Sequence, residues 1–142
     1  MRLTGQIREL LEFLCCTPEP YAPELYTPRD VRRIAQLREW RLVKHTRIGW
    51  VATNLGESVA DAMQYCDRER KALLELANRR GWVPERELHG IGESTLESLE
   101  VCALVDRADD RDDSPGPVVR ITASGRRMAR TLDLVERLEA GQ

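Results

Sequence analysis

Aromatic residues are scarce in this chain, with one Phe, three Tyr and three Trp among 142 residues. Aliphatic Leu and Val must therefore build most of any core. No apolar run approaches the roughly 20 residues of a membrane-spanning helix. The start MRLTGQIREL lacks the order of a signal peptide. Both observations predict a soluble, cytoplasmic protein with no membrane partner. The signatures G-x-S-x-G, P-loop and H-E-x-x-H are all missing. The only two histidines, His45 and His89, lie in different halves of the chain. Gly90-Ile91-Gly92 is too short to cradle a phosphate. These absences argue against an enzyme and against any cofactor. The four cysteines, Cys15, Cys16, Cys66 and Cys102, contain no C-x-x-C pair. Adjacent Cys15 and Cys16 make a poor disulfide framework, so free thiols in a reducing compartment are expected and a zinc site is not.

What is present is a statement made twice. Ile34 to Val43, followed after a short gap by Thr53-Asn-Leu-Gly56, has a counterpart in Leu96 to Val105, followed after a longer gap by Thr122-Ala-Ser-Gly125. Each copy reads as the end of a helix, a Leu-Val entering a strand, a second strand, and a Thr-x-x-Gly that restarts a helix. Two copies imply tandem domains rather than a solenoid.

Hydrophobic spacing fills in the rest. Leu3, Ile7, Leu10, Leu11 and Leu14 predict a first helix over 5–16 with Thr4 as its cap. Pro18, Pro20 and Pro23 break it, leaving a short helix or turn over 21–26. Thr27-Pro28-Arg29-Asp30 is a helix start, with Thr as cap and Pro in the first helical position. Val31, Ile34 and Leu37 give that helix, 28–40, a core-facing stripe. Strands are expected over 42–46 and 49–53 around the Arg47-Ile48-Gly49 turn. Two helices should then meet near 64–67. In the second copy Pro84 begins a short helix, Ser94 and Thr95 cap a helix to Cys102, and strands follow over 104–107 and 118–122. Between those strands lies an acidic tip, Ala108 to Pro117, and a final helix spans 125–138.

Net charge is −2, but its distribution says more than its sum. Positions 27–50 hold seven basic residues against two acidic ones, and positions 92–113 hold eight acidic residues against two arginines. The two copies share a pattern and carry opposite charge.

The phrases Leu37-x-x-x-x-Leu42-Val43 with Ala52-Thr53-x-x-Gly56, and Leu99-x-x-x-x-Leu104-Val105 with Ile121-Thr122-x-x-Gly125, resemble those of MarR-like and related bacterial and archaeal winged-helix regulators. Where that family usually has glycine before Leu-Val, this chain has Arg41 and Ala103. The resemblance covers nearly the whole chain. It implies a mainly α, α+β protein of two tandem winged helix-turn-helix domains, each a three-helix core with a two-stranded hairpin wing. The domains would span 1–65 and 66–142. It also implies a regulator whose basic helix enters the major groove of double-stranded DNA. On that reading Arg29, Arg32, Arg33 and Gln36 face bases, since arginine forks suit guanine and glutamine suits adenine. Lys44, His45 and Arg47 on the wing would touch the backbone. The alternative is that these side chains only solvate an exposed face.

The second copy would repel phosphate through Glu93, Glu97, Glu100, Asp109, Asp110, Asp112 and Asp113, which suits dimerisation or contact with a protein partner. A divalent cation at Asp109 to Asp113 is disfavoured, because the glycine and distal glutamate of a calcium loop are missing. The rival reading of the whole chain is an assembly module with tandem winged helices, or an inhibitor of phage or mobile-element origin whose acidic face mimics nucleic acid.

Overall fold

In the computed structural model residues 1–17, 19–22, 28–109 and 116–141 are described. The protein is α+β, with six α-helices and two small antiparallel sheets among those residues. In chain order these are α1 (Gly5–Cys16), α2 (Pro28–Glu39), a hairpin of β1 (Val43–Thr46) and β2 (Gly49–Ala52), and α3 (Asn54–Met63). There follow α4 (Asp67–Ala77), β3 (Val83–Pro84), a 3-10 turn (Glu85–Glu87), α5 (Glu93–Val101), β4 (Val105–Ala108), β5 (Val118–Ile121) and α6 (Ala123–Ala140). No helix among the described residues is long and apolar enough to cross a membrane. The chain separates into two compact units, one made of 1–64 with 133–142 and the other of 65–132.

In the first unit Leu3, Leu11, Leu37, Leu42 and Val59 are almost wholly removed from water. Leu11, Leu37 and Val59 belong to the inward apolar stripes of α1, α2 and α3, while Leu3 and Leu42 flank the first two of these helices. The second unit buries Leu73, Leu76, Leu96, Leu99, Val105 and Val118 in the same manner. Truncating any one of these leucines to alanine costs about 2–5 kcal/mol.

The repeated phrase of the sequence is a repeated joint. After α2 the chain passes through Arg41 at φ 63°, and after α5 through Ala103 at φ 60°. Arg41 N–H then bonds Arg38 O and Leu42 N–H bonds Leu37 O, both at 2.9 Å; Ala103 N–H to Glu100 O and Leu104 N–H to Leu99 O repeat both bonds at 2.9 Å. This is the left-handed helix stop in which two orphan carbonyls are satisfied and a buried leucine closes over the last turn. It explains why glycine is favoured at the position that Arg41 and Ala103 occupy.

The second half of the joint is repeated just as closely. Leu42 O accepts Thr53 N–H at 2.9 Å and Leu104 O accepts Thr122 N–H at 3.0 Å. Thr53 Oγ1 donates to Arg41 O and accepts from Gly56 N–H; Thr122 Oγ1 donates to Ala103 O and accepts from Gly125 N–H. Each threonine therefore caps the helix that follows while tying it to the helix stop before the hairpin. Gly56 and Gly125 pack their Cα against the Leu42 and Leu104 carbonyls, where a Cβ has no room.

Register extends the match. Val43↔Ala52 and His45↔Trp50 in one hairpin correspond to Val105↔Ile121 and Arg107↔Val119 in the other. A further partner joins each: Tyr21 bridges Trp50, and Val83 pairs with Val119. The second sheet thus has three strands in the order β3-β5-β4, one more than a two-stranded hairpin. The helix expected from Pro84 is instead this short strand and a 3-10 turn. Two further details differ from the sequence reading. α5 begins at Glu93 with Gly92 as its cap, so Ser94 and Thr95 lie inside it. Val31 is 45% exposed instead of facing the core. The short helix or turn expected over 21–26 falls largely outside the described residues.

Candidate nucleic-acid interface

α2 owes its orientation to Ile34 and Leu37, which are buried, and to the joint that fixes its end. Opposite that stripe lie Arg29, Val31, Arg32, Ala35, Arg38 and Glu39, all exposed. Arg32 sits near the middle of the exposed face, with Arg29 and Gln36 on one flank and Val31 and Arg38 on the other, as 100° per residue requires.

The structure sorts the four residues expected on this helix into two classes. Arg29 and Arg32 are exposed and form no ion pair among the described residues. Arg33 is half-buried; its Nη1 lies 3.2 Å from Asp30 Oδ1 and its Nη2 donates to Gln6 Oε1. Gln36 is also half-buried, and its Nε2 approaches Glu39 Oε2 at 3.4 Å. Arg33 braces α2 against α1, so its geometry is that of a structural contact.

On the hairpin, Lys44, His45 and Arg47 are exposed. The strand period puts His45 and Lys44 on opposite faces. His45 lies against Trp50, with ring centroids 4.7 Å apart, and the Arg38 guanidinium sits 5.8 Å from the Trp50 ring. Arg38, Trp50 and His45 thus form one strip that joins the helix face to the hairpin, with the Arg38 guanidinium over the Trp50 ring. The sequence reading missed Arg38 and Trp50 as members of this surface. The signal was available, since His45 and Trp50 lie symmetrically about the hairpin turn. Ile48 at the tip is 73% exposed.

In the second unit the acidic residues also divide. Glu93 and Glu100 line a cleft of about 390 Å³ with Glu85, Arg107 and Asp109. There Arg107 Nε lies 2.8 Å from Glu85 Oε1 and its Nη2 3.6 Å from Glu93 Oε1. The hydrogen bond to Glu85 raises the Arg107 pKa above its ordinary value, against the opposing effect of burial. Glu97 belongs to a different groove, with Glu69, Ser94, Ser98, Val101 and Cys102. Val101 there is 82% exposed. Asp109 is exposed, whereas Asp110, Asp112 and Asp113 lie outside the described residues. No group of three His, Cys, Asp or Glu side chains among the described residues is placed to hold a metal ion.

All four cysteines are free. Burial, and then the nearby Glu57, push the Cys15 thiol up to about 11, so it is protonated at neutral pH and is a poor nucleophile. Its Sγ approaches Gly56 O at 3.9 Å.

Comparison with family models, with curated proteins and with solved structures finds no match to this chain, which leaves the geometry of its own two units to say what it does.

Proposed function

We propose that the chain is a DNA-binding regulator made of two tandem winged helix-turn-helix units. The first would meet double-stranded DNA through α2 and the β1–β2 hairpin, and the second would serve dimerisation or contact with a protein partner. The observation that carries this reading is a set of exposed basic side chains in the first unit, Arg29, Arg32, Arg38, Lys44, His45 and Arg47, which form no ion pair among the described residues. It occupies one helix face and one hairpin, the two elements that a winged helix presents to a duplex. Within the expected set, Arg29 and Arg32 are available to bases or phosphates, whereas Arg33 and Gln36 already have protein partners.

The second unit has the same plan with the charge reversed. The groove that holds exposed Val101 with Glu69 and Glu97 suits a partner surface with apolar and basic groups, and its carboxylates would be repelled by a phosphate backbone. Cytoplasmic location and the lack of catalysis are part of the same proposal.

The test is a mobility shift against random-sequence duplex at low and moderate salt, with molar mass by light scattering. Salt-sensitive binding that disappears on Arg29→Ala with Arg32→Ala supports the reading; removing an arginine that pairs with a base costs about 1–3 kcal/mol. A protein that binds no duplex even at low salt, or whose double variant binds equally well, refutes it and favours an assembly module.

A further inference from the structure

The starts of α1 and α2 enclose a cleft of about 360 Å³, entirely within the first unit and lined by Arg2, Thr4, Gln6, Arg29, Arg32 and Arg33 among others. Four guanidinium groups around one cleft repel one another unless an anion is present to offset them. The available counter-charge is already committed. Asp30 pairs with Arg33, and Gln6 accepts from the same guanidinium. Arg2, Arg29 and Arg32 form no ion pair among the described residues.

The cleft is also held in shape. Leu3, next to Arg2, is buried and its N–H donates to Leu138 O at 2.9 Å, which anchors the segment that carries Arg2. The Arg2 side chain runs beside Gly141, where a Cβ would lie 3.1 Å from Arg2 Cγ and 3.3 Å from its Nε. Arg33 braces α1 against α2, fixing the two walls. Thr4 precedes α1 without using its side chain to cap it, and no acidic residue occupies the first turn of that helix. The positive end of the helix dipole is therefore not offset locally.

The other unit supplies an internal comparison. Register places Tyr21 opposite Trp50 as Val83 lies opposite Val119, and the same spacing matches Ile7 to Glu69 and Arg32 to Ser94. A groove of the second unit that shares these two positions is lined by Glu69, Ser94, Glu97 and Ser98 among others. At these two shared positions the first unit carries Ile7 and Arg32 where the second carries Glu69 and Ser94.

We propose that this cleft is a phosphoryl-oxyanion site in which Arg2, Arg29 and Arg32 clamp the anion and the Thr4 hydroxyl donates to it. Planar arginine forks suit the tetrahedral oxygens of a phosphodiester. That the phosphate belongs to a duplex backbone rests on the proposed function; the anion chemistry of the cleft does not. On this assignment Arg29 and Arg32 fix the register of the protein on DNA, and base discrimination falls to the remainder of the α2 face.

Inorganic phosphate is titrated into the full chain at constant ionic strength, with chloride as reference, while the amides of Thr4 to Ile7 and the arginine Nε–H groups are followed by NMR. The same samples are tested for duplex binding with two unrelated sequences. Expected are saturable shifts with phosphate that Arg2→Gln and Arg32→Gln each weaken by about tenfold. Arg2→Gln should also weaken both duplexes equally and lower the salt slope by about one. Shifts that do not saturate, or that Arg2→Gln leaves unchanged, overturn the site. Saturation by phosphate with no duplex binding keeps the clamp, refutes the DNA reading and assigns the site to a free phosphate ester. Duplex binding that is indifferent to Arg2→Gln keeps the DNA reading and refutes the assignment of this cleft to a duplex phosphate.

Discussion

Replacing Gly125 by alanine drives a methyl group into the Leu104 carbonyl. A Cβ built there overlaps Leu104 O and lies 2.6 Å from Ile121 Cγ1 and 3.1 Å from the Leu104 carbonyl carbon. The carbonyl cannot simply retreat, because it accepts Thr122 N–H at 3.0 Å and sits beside Ala103 O, which accepts the Thr122 hydroxyl at 2.8 Å. Restoring a tolerable carbon-to-oxygen distance requires the start of α6 to move by roughly 1 Å. That movement sacrifices the Thr122 N–H bond, about 1 kcal/mol net, and the threonine cap, about 1 kcal/mol more. Residual overpacking adds about 1–3 kcal/mol. The higher helix propensity of alanine returns at most about 1 kcal/mol. The net loss is about 2–4 kcal/mol, which lowers the midpoint of a unit this size by about 14–28 °C. Gly56→Ala should act likewise on the first unit, through Leu42 O. Gly92→Ala is the control, since a Cβ there meets nothing within 4 Å and the backbone has φ −79°. Thermal and urea unfolding followed by circular dichroism would decide. A Gly125→Ala protein as stable as Gly92→Ala would refute the joint as described.

Arg41→Gly and Ala103→Gly should each stabilise their unit by about 0.5–1 kcal/mol, because the left-handed backbone at φ 63° and φ 60° strains a side-chain-bearing residue more than the added chain entropy of glycine costs; an unchanged urea midpoint would contradict this. Arg33→Ala should cost about 1 kcal/mol through its bonds to Asp30 and Gln6, whereas Arg32→Ala should stay within about 0.5 kcal/mol; equal midpoints for the two variants would remove the distinction between brace and ligand-binding side chain. Cys15 carries a thiol pKa raised from 9.0 to about 11 in the folded state. Its contribution to stability is therefore full below pH 9 and lost as pH rises through 11. The urea midpoint should fall across that window more steeply in the parent protein than in Cys15→Ala, and parallel pH profiles would show that burial does not govern this thiol.

The parts of the fold that were legible in the sequence are those where one residue type does one job. Thr53 and Thr122 each use their hydroxyl both to donate and to accept, and Gly56 and Gly125 admit no Cβ, so Thr-x-x-Gly survives as a readable string. The apolar spacing of α1 was equally plain. The third strand was not, because β3 is only two residues, one of them proline, and it owes its existence to β5 rather than to local propensity. Val31 was misplaced because residues three apart drift by about 60° each step on a helix. Ile34 and Leu37 stay in the core and Val31 leaves it. At the basic surface, the residue types on α2 were legible, but their partners were not. Gln6 reaches Arg33 from another helix, and Arg2 is brought to the cleft by Leu3 bonding to Leu138, separations that no local pattern encodes.

The joint is made largely from main-chain atoms, and this bears on how the two units can diverge. Only the threonine, the glycine and the buried leucines depend on side-chain identity. Outward positions carry none of the load: Arg32 is answered by Ser94, Ala35 by Glu97 and Arg38 by Glu100, all exposed in both units. A gene that duplicated such a unit could reverse the sign of one surface by single substitutions without passing through an unfolded intermediate. The same freedom is open to the engineer, for whom Ser94→Arg with Glu97→Ala would begin to rewrite the acidic unit in the image of the basic one.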